Sequence, residues 1–252
     1  MVAYKHLLAP VDFSEASLHA ARFAARLAAR FGAKLTVAHA AAIDEPNVAE
    51  RMAALDTEGH PADHRVLSGD PAEAVVRAAA QGVDLIVMAT HGVGALRRFL
   101  LGSVAAKVLH DARCAVLTTT HQSDLPELGR KQFRHVVAAV DLGPASESVA
   151  RAAAALGAPT TLLHVLPPDT LGGVAYYDPE RWIAISATKL MRISDLPALV
   201  RTGQLQEVAN QVIGEKNADL LVIGRHPHGL TGRLHDAAYT LIRESRVPVL
   251  SV

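Results

Sequence analysis

The sequence predicts an α/β protein made of two tandem parallel sheets, each covered by helices on both faces. Short apolar strands alternate with alanine-rich helical stretches, the pattern of strand–helix–strand units. The same order of strands then occurs a second time. Half of the 252 residues are hydrophobic and only 4% are aromatic, a composition that suits helices packed closely on a sheet.

The elements follow in order. A first strand, Lys5-His6-Leu7-Leu8-Ala9-Pro10-Val11, ends on Asp12 and runs through Phe13-Ser14 into a helix. Ser14 suits the N-cap, Glu15 the first turn and Gly32 the helix end. Leu35-Thr36-Val37-Ala38-His39 is the next strand, and another helix starts near Pro71, with proline in its first turn. Asp84-Leu85-Ile86-Val87-Met88 reads as a buried strand that leaves through the turn Ala89-Thr90-His91-Gly92. Gly102-Ser103 opens a further helix, and Cys114-Ala115-Val116-Leu117 is the closing strand, with the lone Cys114 read as a small buried hydrophobe. The set recurs as Arg134-His135-Val136-Val137-Ala138-Ala139-Val140-Asp141, Thr161-Leu162-Leu163-His164, Asp219-Leu220-Leu221-Val222-Ile223 and Val247-Pro248-Val249-Leu250. The polar run Gln122 to Arg130 is the linker, which sets domain bounds of 1–122 and 133–252. Pro248 suits an edge position for the last strand, Val247 to Val252.

Several classes are disfavoured by bulk properties. With 25 basic and 25 acidic side chains the formal net charge is zero, which argues against a general nucleic-acid binder. No apolar run approaches the roughly eighteen residues of a membrane span. Met1 to His6 enters a strand directly, without a signal-peptide pattern, so a cytoplasmic setting is the expectation.

The chemistry concentrates at strand ends, where open α/β sheets hold their ligands. Asp12 and the turn from Ala89 to Gly92 both lie there and can face one crevice. Gly92 allows close backbone approach, Gly102-Ser103 opens a helix N-terminus that favours an anion, and Arg97 and Arg98 stand in the intervening loop. The alternatives are a phosphate-binding loop or an ordinary strand-to-helix turn with Ser103 as its cap. Two familiar phosphate fingerprints fail. Arg97 stands at the third glycine of G-x-G-x-x-G, and Gly102-Ser103-Val104 lacks the lysine of a Walker loop.

These residues together resemble the universal stress protein family in its tandem two-domain form. The resemblance covers nearly the whole chain. It rests on Pro10-Val11-Asp12-Phe13-Ser14, the strand ending in His39, Thr90-His91-Gly92, Gly102-Ser103 and the closing Val247-Pro248-Val249-Leu250-Ser251-Val252. The family motif is Gly, two residues, Gly, nine residues, Gly, then Ser or Thr. Ala89 takes its first position here, while Gly92, Gly102 and Ser103 match the rest. The resemblance implies a five-stranded parallel sheet in each half, of the adenine-nucleotide alpha-hydrolase-like kind, with terminal strands pairing the halves. A homodimer is left open. It also implies ATP in the first half, with AMP or ADP as alternatives and Mg²⁺ as a further partner. Asp12 would contact ribose or adenine, and Ala40 would line the adenine pocket. Met88, Ala89 and His91 would line the turn, and Gly92, Gly102, Ser103 and Val104 would hold the phosphates.

The second half departs from the motif. Gly224 keeps the first glycine, but Pro227 takes the second position and Ala237-Ala238 replaces Gly-Ser. Proline removes an N–H and the capping hydroxyl is gone, so this half is expected not to hold ATP in the same way. Asp141 is either a ligand contact or a helix cap.

The expected role is stress-related nucleotide binding with at most slow hydrolysis, His91 being either a base or a lining residue. An enzyme of a related fold would carry a glycine-rich loop after the first strand, and Val11-Asp12-Phe13-Ser14-Glu15 has none. The alternative is a nucleotide-independent interaction module, with zinc on His226, His228 and His235 beside Asp236. The aromatic segment from Thr170 to Trp182 reads either as a partner surface or lid, or as core packing.

Overall fold

The computed structural model describes residues 4–42, 45–91, 101–119, 133–167, 179–225 and 233–252. Gly92, Arg97, Arg98, the linker 122–130, residues 170–178, His226 and His228 lie outside them, as do the side chains of His235 and Asp236.

Two compact units divide at Lys131 and Gln132. The first runs β1 (His6–Pro10), α1 (Glu15–Phe31), β2 (Lys34–Ala41), α2 (Val48–Ala53), β3 (Ala62–Ser68), α3 (Pro71–Ala79), β4 (Leu85–Ala89), α4 (Ser103–Asp111), β5 (Ala115–Thr119). Its strands lie in the order β3-β2-β1-β4-β5, all parallel. The second runs β6 (Val136–Ala139), α5 (Ser146–Ala155), β7 (Thr160–Leu166), α6 (Pro179–Ile193), β8 (Ala198–Thr202), α7 (Leu205–Lys216), β9 (Leu220–Ile223), α8 (Arg233–Glu244), β10 (Val249–Ser251). Its order, β8-β7-β6-β9-β10, repeats the first.

Local chemistry explains these elements. Ser14 caps α1 by accepting the Ser17 N–H, and Gly32 ends it in the left-handed region at φ 62°. Asp70 caps α3 ahead of Pro71. The apolar face of α1, including Phe23, Leu27 and Ala24, is fully buried. Each central strand is almost wholly buried, β1 through Leu7 and Leu8 and β6 through Val136 and Val137, as a sheet covered on both faces requires.

The repeat also has a polar skeleton. Asp84 accepts the N–H groups of Lys5 and His6, and Asp219 accepts that of Arg134. His6 bonds Thr36 Oγ1 at 2.9 Å, and His135 bonds Thr161 Oγ1 at 2.8 Å. In each half, an aspartate before the fourth strand fastens the start of the first.

Four sequence expectations change. Gly102, not Ser103, is the N-cap of α4, and Ser103 is its first helical residue. Cys114 precedes β5 and is half-buried rather than a core residue. Pro248 lies before β10 rather than inside it. Trp182 sits in the first turn of α6 and is 44% exposed, so it is not core packing.

Candidate functional site

In the first half the strand order reverses between β1 and β4, and a crevice of about 290 Å³ opens beyond their carboxyl ends. The structure brings Asp12, Ala40, Met88, Ala89, His91, Gly102, Ser103 and Val104 around it. Of the residues implied by the motif, Gly92 lies outside the described residues.

One wall is the start of α4. Gly102 offers no side-chain cap, so the first N–H groups of the helix, at Ser103 and Val104, are left open. Among the described residues Ser103 Oγ has no partner either. The Gly102 N–H is itself occupied, donating to Thr90 O at 2.8 Å. Its part in this wall is therefore steric. A Cβ at Gly102 would stand 3.2 Å from Thr90 O, so only glycine lets α4 dock tightly on the end of β4. Ala89, the departure from the motif, closes β4 opposite Thr119 and has no positive φ, so its methyl costs no backbone strain.

The opposite wall is built on a strained turn. Phe13, directly after Asp12, has φ 60°, which a bulky residue adopts only when its surroundings hold it. Here the ring is held on both sides, by His39 at 4.5 Å between centroids and by the Arg51 guanidinium at 3.7 Å. Asp12 Oδ1 accepts the Ser14 N–H at 3.0 Å and the Ser14 hydroxyl at 2.5 Å.

Sequence reasoning missed the network behind this turn. His39 Nδ1 bonds Val11 O at 2.8 Å, and Nε2 bonds Glu45 at 2.9 Å. Arg51 bonds the other Glu45 oxygen at 2.8 Å. The His39 ring, and then Arg51, hold the Glu45 carboxyl below its usual range against the opposing effect of desolvation. Glu45 and Arg51 sit outside every strand–helix signal, so only the spacing from His39 could have suggested them.

The second half has its own crevice, of about 560 Å³. Asp141 Oδ1 accepts the Gly143 N–H at 2.8 Å and bonds Ser146 Oγ at 3.3 Å, and Leu142 repeats the left-handed turn at φ 65°. Ala237 and Ala238 line this crevice, but they do not open a helix. α8 begins at Arg233 and runs through both, so their N–H groups are interior to it. Gly224 is needed for packing, since a Cβ there would lie 3.3 Å from Val149 Cγ2.

Known proteins agree with this architecture. The universal stress protein family model matches residues 3–119 and again residues 132–252. The chain belongs to the universal stress protein family. A universal stress protein of Thermus aquaticus is 48% identical over 56 residues, which are 22% of this chain and 41% of that relative. Another, from Methanocaldococcus jannaschii, is 33% identical over 137 residues, 45% of this chain and 81% of its own length. The crystal structure of a universal stress protein from Archaeoglobus fulgidus superposes with a TM-score of 0.69 at 20% identity, over 99% of this chain and 96% of that one. That likeness carries the tandem fold of this universal stress protein. Among its described residues no helix is long and apolar enough to cross a membrane, and no cluster of three or more metal-ligating side chains occurs.

Proposed function

We propose that the first half binds an adenine nucleotide, ATP or in the same pocket AMP or ADP, and that this universal stress protein acts through the bound state rather than through rapid turnover. The observation that carries the reading is the start of α4. Uncapped N–H groups and the Ser103 hydroxyl face a crevice that also holds Asp12. At about 290 Å³ the crevice lies just below the usual span of about 300–1,000 Å³ for ligand sites. It takes the base and ribose, and leaves the phosphates at the rim over Ser103. Asp12 accepts from a ribose hydroxyl, and the backbone at Ala40 and Met88 borders the base. Mg²⁺ enters as counter-ion of the polyphosphate. His91, bonded through Nδ1 to Thr90 Oγ1 at 2.9 Å, serves to fix the turn.

The test is calorimetric titration of ATP into the intact chain and into Ser103→Asp, after any co-purified nucleotide has been released and identified. An aspartate in the first turn suits the helix dipole, so the variant folds, while its charge repels phosphate. One ATP per chain with Kd near the micromolar range, about −8 kcal/mol, lost in the variant, supports the reading. Equal affinity in both proteins, or no nucleotide bound by either, overturns it.

A further inference from the structure

We propose that the second-half crevice is a binding site in its own right, for a small uncharged molecule with a largely apolar body and one O–H or N–H donor. Three observations converge. The crevice is roughly twice as large as the first-half one, about 560 against 290 Å³, within the range of small-molecule sites. Its walls are chiefly apolar, with Val149, Val165, Ile223 and Leu241 among them, and Asp141 is the one formally charged side chain that the described residues place in the lining. The run of α8 through Ala237 and Ala238 withholds the N–H groups that a phosphate needs.

A further observation is His164. It lines the crevice and is more than nine-tenths buried. Its Nδ1 faces Val140 O at 2.9 Å, which accepts only, so Nδ1 carries the proton. In the neutral ring Nε2 is then a lone-pair acceptor, and it has no hydrogen-bond partner among the described residues. The equivalent atom of His39 is satisfied by Glu45. An acceptor left open at the wall of a largely apolar cavity offers a ligand donor a partner. A second polar edge is available at the start of α7. Gln204 makes no side-chain cap there, and Leu205 and Gln206 also line the crevice, so an acceptor on the ligand can meet the first N–H groups of that helix.

The probe is 2-naphthol, an uncharged aromatic with one hydroxyl, titrated into the full chain with ¹³C-labelled methyl groups. Saturable shifts are expected at Val149, Ile223 and Leu241. Ala238→Phe, which fills the crevice, should weaken binding at least tenfold, and Val149→Leu should weaken it less. Ser103→Asp should leave it unchanged, which separates this site from the proposed nucleotide site. The methyl spectrum of each variant reports its folding directly. The proposal is overturned if these methyls do not respond, if both filling variants bind 2-naphthol as the native chain does, if ATP shifts the same methyls, or if the 2-naphthoate anion binds as tightly as the alcohol.

Discussion

His39 and His164 occupy matching positions in the two halves and make the same first bond, from Nδ1 to the carbonyl of the valine that precedes the strand-end aspartate, Val11 or Val140. They differ at Nε2. Glu45 takes that atom in the first half, and no described residue takes it in the second. The fold thus keeps the histidine as a brace between neighbouring strands and varies what its outer nitrogen meets.

The Glu45 link should appear in acid stability. Its carboxyl is held below the ordinary value of 4.5, first by the hydrogen bond from His39. A carboxylate with a lowered folded pKa contributes fully above its unfolded value, and the contribution disappears as the pH falls through the folded one. The urea midpoint of the native chain should therefore drop on acidification below about pH 4.5 more steeply than that of Glu45→Gln. Parallel curves would show that the link contributes nothing.

His135 should act in a higher window. Burial, then Lys216, lowers its pKa from 6.5. The unfolded ring takes up its proton first, so stability is complete above about pH 6.5 and falls as the pH drops below it. Ring-proton NMR should place the His135 midpoint below that of a free histidine. His135→Gln should lose less stability than the native chain between about pH 7 and about pH 5.5.

Ser14→Ala removes the N-cap bond to the Ser17 N–H and should cost about 1 kcal/mol by chemical denaturation. It also removes the hydroxyl that bonds Asp12. On the proposed function, ATP should bind more weakly by a further margin that a pure cap effect would not produce. Calorimetry at a temperature where both proteins are folded separates the two.

Gly102→Ala brings a Cβ to within 3.2 Å of Thr90 O. Crowding of this kind costs about 1–3 kcal/mol, and the same push tilts α4 away from β4. The variant should melt lower than the native chain and bind ATP less tightly. An unchanged melting temperature would mean that the turn gives way freely.

Legibility in the sequence followed burial. β1, β4, β6 and β9 are apolar runs set by the core, and α1 and α3 announce their ends through Ser14, Gly32, Asp70 and Pro71. β3 and β8 escaped notice because each is an outer strand of its sheet, held by backbone bonds to one neighbour. In β3 the residues from His64 onward are mostly exposed, and Val66 is 53% exposed. With no apolar alternation there is no period to read. The six-residue α2 is too short to show one. At the site, the strand ends and the start of α4 were legible from glycine, serine and aspartate placement. The Phe13 stack was not, because it depends on a left-handed backbone at a residue that rarely adopts it. The early start of α8 was hidden for a similar reason. Aligning Ala237-Ala238 with Gly102-Ser103 shows which residues differ, but not that α8 starts before them.

The earlier start of α8 separates the two halves by more than a pair of residues. Exchanging Ala237 and Ala238 for glycine and serine would place the right letters inside a helix whose N–H groups are already spent. The helix would first have to be unwound by about five residues, to end its run where α4 begins. On the two proposals, the crevices answer different molecules because their helices begin at different points, and not merely because two residues differ.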